Sequence, residues 1–449
     1  MISLWDFFTD PVLRAPTWGC ILMCLASSLM GVLIFLRKRS LLAETLSHAT
    51  YPGAVIGVFL FAFLFPAHEE WTFLAVLGGA FASSLLGLKV FEWMEGKGKA
   101  RADAAQCFVL AVFFGVGIVA ASAMQASFPV WQKQVQMLLF GQAATMTDIH
   151  IAIYGCLAFT AAFFLFLTFR PLQSSLFDRD FSVSAGIPVS ILDRIVFWLL
   201  LISLIVGIRS VGVVLMSGMV IAPAVAARQF SDRLQTVFSL AALFGVLSGF
   251  LGNYLSVMGS LALSQTGEKM SLPTGPMIVL VGTALALLSL LFAPKRGLAF
   301  RIGRIIAFRF RCLQENLLKG FWKKGALTFA QIKESHPVSP FFLQWILFRM
   351  KNEGWLRKER GCAARRGLYA LTGDGKQKAA SIVRLHRLWE LYLTESLGFQ
   401  VEKVHRTAEE MEHILTPEIE ERLTRLLSNP KQDPHQQPIP ERHESLLGN

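Results

Sequence analysis

With 449 residues, 53% of them hydrophobic and 37 of them Phe, the chain is too long and too apolar for one ordinary soluble domain. Its formal charge of +12 is uneven: residues 1–300 hold 18 Lys+Arg against 14 Asp+Glu, residues 301–387 hold 19 against 5, and residues 388–449 hold 6 against 12. The six cysteines form no CxxC pair, which argues against a disulfide framework; four sit in apolar runs and read as small core residues.

The N-terminal MISLWDFFTDP lacks a basic leader region, and the first apolar run ends in Arg37-Lys38-Arg39 rather than at a small-residue cleavage site, so no cleaved signal is expected. Apolar stretches of spanning length fall at about 17–36, 41–66, 72–94, 107–127, 149–169, 192–208, 211–226, 234–258 and 275–293. The sixth and seventh are short and separated only by Arg209-Ser210, so they read either as two spans or as one kinked or re-entrant element. Basic loops at 37–39, 97–101, 170–179, 228–233 and 295–296 alternate with PAHEEW and SFPVWQKQ. Lys and Arg favour the cytoplasmic side, which sets the N-terminus outside and everything after 295 inside.

The second span opens with AETLSHATYPG, which sets Glu44 and His48 one helical turn apart on the same face. Ionisable groups inside a span are costly and usually line a pathway. A carboxylate with an imidazole suits a borderline divalent cation such as manganese, iron or zinc. The plainer reading pairs Glu44 with Arg37 or Lys38 at the interface. The loop AARQFSDRL at 226–234, with Arg228, Asp232 and Arg233, is either an ordinary solvated loop or a short helix that docks on a partner.

After residue 295 long apolar runs stop and charge rises. The basic block followed by an acidic one suggests a phosphate-facing surface beside a carboxylate-rich site. Residues 315–375 predict two or three short helices, broken at 336–339, and then a hairpin formed by 355–359 and 368–371. That order is a helix-turn-helix with a wing. Ser339, Phe342 and Gln344 at the start of the second helix are candidates for reading base edges. Arg365 and Arg366 at the wing tip are candidates for phosphate contact. A protein-binding winged helix is the alternative. Further on, His386 and Glu390 stand at i, i+4, and His405, Glu409, Glu412 and His413 crowd one side of the next helix. Imidazoles interleaved with carboxylates form a metal-ligand pattern, although ion pairing, such as Glu390 with Arg387, explains the same residues.

Two resemblances join these pieces. LLAETLSHATYPGAVIG, LLFGQ at 138–142, VGVVLMSGMVIAPAVAA at 211–227 and SLPTGPMIVL at 271–280 resemble, in order, the metal-ion ABC permeases of zinc, manganese and iron uptake. Glu44 stands where that family usually carries Asp. The resemblance implies Glu44 and His48 as translocation-pathway residues, Gly218 and Pro223 as shaping a gating helix, and 226–234 as the ATPase-docking segment. It also implies a separate ATPase, an extracytoplasmic metal-binding protein and a second permease subunit, self or paralogue. The chain agrees in having no GxxxxGK[ST]; EGKGKA and TGDGKQ have the wrong spacing, so it is not expected to be an enzyme.

HRLWELYL, VHRTAEEMEHIL, TPEIEERL and QPIP resemble the diphtheria-toxin-repressor and manganese-repressor type. This implies one metal site from Glu409, Glu412 and His413, a second from His386, Glu390 and His405, and a homodimer on a palindromic operator. Iron or manganese is favoured as co-repressor and zinc is possible. Asn316 stands where that family's first helix donates Asp or Met, so that site is weaker or Glu315 substitutes. The expected architecture is an all-α polytopic membrane domain of about nine spans (1–295) and a linker (296–313). A mainly α cytoplasmic part follows: a winged helix-turn-helix (314–378), a helical metal-binding and dimerisation domain (379–440) and a tail (441–449). The expected protein is an inner-membrane importer subunit fused to a repressor. The alternative is a tail that senses metal and gates the permease without touching DNA. A membrane-tethered repressor searches little DNA, so proteolytic release within 296–313 is also expected.

Overall fold

Hydrocarbon offers backbone amides no water, so a spanning chain must pair them within itself. The first unit, Met1–Phe300, meets this demand with helices: α1 (Asp6–Thr9), α2 (Arg14–Leu36), α3 (Ser40–Leu64), α4 (Thr72–Gly96), α5 (Ala102–Ser127), α6 (Asp148–Phe177), α7 (Arg179–Ser184), α8 (Val189–Val211), α9 (Val213–Phe230), α10 (Leu234–Gln265) and α11 (Thr274–Phe292). The computed structural model describes all residues except 1–2, 65–71, 128–134, 136–137, 142, 266–270, 337, 360–366, 401–403, 405–407, 409–410, 412–415 and 442–449. Among the described residues, eight helices are long and apolar enough to cross a membrane. α3 is a further long helix outside those eight, against the nine spans expected. The loops PAHEEW and SFPVWQKQ lie almost wholly outside the described residues.

Helix α2 is the axis of this unit. It packs against α6, α9 and α10, and its Met23, Cys24, Met30 and Leu33 are fully buried. Asn253 of α10 donates a 2.9 Å hydrogen bond to Thr17 of α2, tying two polar groups that would otherwise be stranded. A second core gathers Tyr51, Val55 and Val58 of α3 with Leu201 and Ile205 of α8. α3 and α4 cross so closely that a Cβ on Gly53 would lie 2.0 Å from the Gly79 carbonyl oxygen. Small residues at such crossings let backbones approach without lipid between them. On the outside, Phe159, Phe163 and Phe166 of α6 are exposed, which suits contact with acyl chains. Of the cysteines, Cys20 and Cys24 are core residues as expected, whereas Cys107 and Cys156 are exposed.

The sixth and seventh apolar stretches are two helices, and the break is not at Arg209-Ser210. α8 runs through both residues to Val211 and stops at Gly212, whose φ of 93° and ψ of 155° no side-chain-bearing residue adopts without strain. The polar pair misled because the break is fixed by packing. A Cβ on Gly212 would meet the Leu139 carbonyl oxygen at 2.4 Å.

The second unit, Arg301–Asn449, receives α12 (Leu298–Lys324) and continues with β1 (Leu327–Thr328), α13 (Phe329–Ser335), α14 (Pro340–Asn352), β2 (Leu356–Glu359), β3 (Leu368–Leu371), α15 (Gly373–Glu395) and α16 (Pro417–Leu426). Phe310, Leu317, Leu318 and Phe321 of α12 share one core with Leu343, Ile346, Leu347 and Met350 of α14. The antiparallel sheet has the order β1-β3-β2, with Leu356 opposite Leu371 and Glu359 opposite Leu368. Strand β1 adds a third strand to the expected hairpin. The stretch 296–313, expected as a linker, is helical from Leu298 onward and runs unbroken into this core. Helix α15 starts at Gly373, two positions after the end of β3.

Candidate metal sites

In the membrane unit Glu44 and His48 both sit on α3, with Glu44 half-buried and His48 buried. The pairing of Glu44 with Arg37 does not form; Arg37 instead meets Asp193 at 2.7 Å, an aspartate it shares with Arg179 at 2.8 Å. The His48 ring stands edge-on to Phe114, centroids 4.7 Å apart, and its Nδ1 has no hydrogen-bond partner. The Tyr51 hydroxyl, less than a turn away, is also buried without a partner. Pro52, inside α3, has no N–H to give the carbonyl four residues back, which is that of His48. One turn of α3 therefore concentrates a ring nitrogen, a phenol and a main-chain oxygen with unused capacity. Buried polar atoms left unmade cost free energy unless something else satisfies them. Ser47 ties this turn to the break between α8 and α9 by donating to the Val213 carbonyl at 2.5 Å.

The segment expected to form a short docking helix does not. Residues 226–230 are the last turn of α9, and 231–233 are a bend before α10. Asp232 is held there by Arg228 at 2.8 Å and by Arg296, and Arg228 also donates to the Ser231 carbonyl. Arg233 is placed by its amide, which donates to the Ser231 hydroxyl at 3.1 Å.

In the second unit, Thr372 caps α15 by accepting from the Gly375 amide, and the helix then carries His386 and Glu390 inward. His386 Nε2 and Glu390 Oε1 are 3.2 Å apart, at 7% and 2% residue exposure. Glu390 thus faces His386 rather than Arg387, which is taken up by Asp433 and the Pro438 carbonyl. A cavity of about 890 Å³ is lined by Asn316, His336, His386, Glu390, Asp433 and His435. Burial, and then Lys324, pushes the His336 imidazole below its ordinary value. A buried imidazole and carboxylate at hydrogen-bonding separation, open to a cavity with an amide and further imidazoles, are donors that fit a divalent transition metal. His405, Glu409, Glu412 and His413 lie outside the described residues, and among the described residues no group of three or more such ligands forms. Sequence reasoning missed His336, Asp433 and His435, although Asp433-Pro434-His435 in a proline-rich end is the kind of turn that can present an imidazole.

The nucleic-acid candidates divide. Ser339 is the N-cap of α14, its hydroxyl accepting from the Phe342 amide, and Gln344 is exposed. Phe342 is not free to read bases: it is half-buried against Phe310 and Trp345. The exposed side of α14 carries three aromatic rings, with Phe341 83% and Phe348 62% exposed beside Trp345, together with Gln344, Arg349 and Lys351. Arg365 and Arg366 lie outside the described residues. Arg384 holds the helical end together, reaching Glu420 and Thr424 of α16 at 3.2 Å each and the Pro440 carbonyl at 2.8 Å.

These two halves define a polytopic metal permease joined to a metal-binding domain. Residues 9–293 match the ABC 3 transport family, and the chain belongs to it. Residues 372–441 match the iron dependent repressor, metal binding and dimerisation domain. Over 98% of this chain and 99% of its own length, a probable metal transport system membrane protein of Chlamydia pneumoniae is 34% identical. The zinc transport system membrane protein TroC of Treponema pallidum is also 34% identical, covering 68% of this chain and 96% of its own. A solved PsaBC complex of Streptococcus pneumoniae with Fab has the same membrane fold, with TM-score 0.52 and 22% identity over 65% of this chain and 96% of that one. The protein is therefore a multi-pass membrane subunit for metal transport, a translocating component rather than a catalyst, fused to a metal-binding domain.

Proposed function

We propose that the membrane unit passes a divalent transition metal (iron, manganese or zinc) and that the second unit is a metal-dependent DNA-binding repressor of uptake genes. The observation that carries this reading is the recurrence of one donor pair in both units: a carboxylate and an imidazole one helical turn apart, Glu44 with His48 and Glu390 with His386. Along the pathway, Glu44 supplies charge, His48 a neutral ring nitrogen and Pro52 an open main-chain oxygen. The bend at 231–233 with Arg228, Asp232 and Arg233 is the surface offered to a separate ATPase. An extracytoplasmic metal-binding protein and a second permease subunit complete the importer. The basic loops place the second unit in the cytoplasm.

In that unit His386 and Glu390, with His405, complete one metal site, and Glu409, Glu412 and His413 form the other. Bound metal supplies positive charge that neutralises these carboxylates. Asn316 on α12 lines the same cavity as His386, so filling it draws α12 toward α15 and orders α14, which packs on α12 through Phe310. A homodimer then presents two α14 helices to successive major-groove turns. Release by proteolysis within 296–313 requires local unfolding of α12 first.

His48→Ala and Glu44→Ala are expected to abolish metal accumulation by cells while membrane insertion stays normal; uptake at wild-type rate refutes the pathway. Binding to the chain's own promoter is expected to require Fe(II) or Mn(II) and to vanish in Glu412→Ala. A second reading, a metal-sensing gate without DNA contact, is favoured by the aromatic outer side of α14. It predicts no mobility shift at any salt concentration, where the repressor predicts a steep salt dependence.

A further inference from the structure

We propose that the first half of α12 is a membrane-surface helix that binds anionic lipid headgroups. The proposal requires only that the chain spans a membrane. The chain leaves α11 at Phe292 and enters α12 at Leu298. Six residue steps cover at most about 20 Å, so α12 starts close to where the last span ends.

From 298 to 309 every residue is exposed, and the core of the second unit is joined only at Phe310. At about 100° per residue, Leu298, Ile302, Ile305 and Ile306 share one arc of about 100°, and Arg301, Arg304 and Arg311 share an arc of about 80° on another side. Leu298, Ile302, Ile305 and Ile306 are 43–55% exposed, an apolar stripe left open among the described residues. Arg309 falls within the apolar arc and the exposed Phe308 within the basic one, so the two faces are cleanest over 298–306; the Arg309 methylene stem can lie along an acyl boundary while its guanidinium reaches outward. No acidic residue occurs between Glu268 and Glu315, so Arg301, Arg304 and Arg309 have no carboxylate nearby in sequence, while Arg311 stands one turn before Glu315. None of Arg301, Arg304, Arg309 and Arg311 is in an ion pair with a described residue.

A basic helix with an uncovered apolar stripe, emerging directly from a span, matches the chemistry of an anionic bilayer surface. Duplex DNA fits less well, because phosphate contact uses the arginines and leaves the isoleucines in water. The helix is also mechanically linked to α14. Phe310 lies 4.7 Å from the Trp345 ring, and Arg349 sits over Phe310 at 4.9 Å. Lipid contact at 298–309 thereby bears on the helix offered to DNA.

The full chain is reconstituted in nanodiscs of phosphatidylcholine alone or mixed with phosphatidylglycerol. Amide exchange across 298–311 is followed by mass spectrometry. With anionic lipid, exchange is expected to slow on the order of tenfold, and less at high salt. The variant with Arg301, Arg304, Arg309 and Arg311 replaced by Gln, which keeps helix propensity, is expected to lose the difference. A fluorophore on Ile302→Cys or Ile306→Cys, in a chain stripped of its native cysteines, is expected to be quenched by lipid-borne quenchers, and one on Arg304→Cys is not. Equal exchange in both lipids overturns the proposal, as does a flat quenching pattern or a pattern unchanged by the Gln variant. Protection by duplex DNA in place of anionic lipid assigns the surface to nucleic acid and also overturns it.

Discussion

Replacing Gly212 by Ala tests whether the break between α8 and α9 is imposed by packing. The residue's φ of 93° with ψ of 155° lies in a region that costs a non-glycine residue about 1–3 kcal/mol. The added methyl would also sit 2.4 Å from the Leu139 carbonyl oxygen and 2.5 Å from the Phe140 carbonyl carbon. Both are main-chain atoms and cannot rotate aside, so the segment must withdraw, which adds roughly 1–3 kcal/mol of overpacking. The sum, about 2–6 kcal/mol, predicts a fall of roughly 3–10 °C in the thermal midpoint of the purified protein in detergent. Fluorescence-detected size exclusion after a temperature ramp reads this directly. Gly115→Ala in α5 is the control, since a Cβ there meets nothing within 4 Å; it should be neutral or stabilise by about 0.5–1 kcal/mol. If Gly212→Ala melts with the wild type, the backbone argument fails. Because Ser47 bonds the Val213 carbonyl, Gly212→Ala should also disturb His48 and reduce metal uptake.

Two further expectations concern the second unit. Ser339→Ala removes the cap of α14 and should cost about 1 kcal/mol, whereas Ser339→Asp keeps the cap but sets a negative charge where DNA would lie. Retained stability with lost promoter binding in Ser339→Asp supports DNA contact there, and unchanged binding refutes it. His336 titrates below its ordinary value in the folded chain, so the unfolded chain takes up the proton first as pH falls. Its contribution to stability is complete above about pH 6.5 and is lost as acid approaches the folded value. The gap in thermal midpoint between wild type and His336→Gln should therefore narrow on acidification; a gap constant with pH removes the argument.

Much of this fold was legible because its signals are local. Runs of apolar residues gave the starts of the long helices within five positions, while α6 and α10 end eight and seven residues later than expected, and Glu44–His48 and His386–Glu390 could be paired from spacing alone. The failures have tertiary causes or a misread period. The helix end at Gly212 is set by residues 139–141, which no window around 212 contains. The cavity beside His386 is assembled from α12, the end of α13, α15 and the 433–437 turn, so His336 carried no local signal and His435 only that of its Asp-Pro-His turn. Phe342 was a period error. With Leu343, Ile346, Leu347 and Met350 inward at i, i+3, i+4 and i+7, Phe341 faces out and Phe342 lies at the core edge. The acidic stretch holding His405, Glu409, Glu412 and His413 lies outside the described residues, so the structure adds nothing to its reading.

The two donor pairs also differ in a way that bears on the proposed division of labour. Glu390 and His386 sit on an uninterrupted stretch of α15, both nearly dry, with the carboxylate 3.2 Å from the imidazole. An ion entering there displaces a formed contact but finds rigid donors, which favours retention and a response that depends on metal concentration. Glu44 and His48 sit where Pro52 interrupts the hydrogen bonding of α3, with Glu44 only half-buried and His48 Nδ1 unpartnered. Nothing has to be displaced at that nitrogen, and the local backbone can flex. Fast entry and fast release are what a pathway requires, and slow release is what a sensor requires. On the proposed reading, the same pair of side-chain types serves both tasks because the helices beneath them differ.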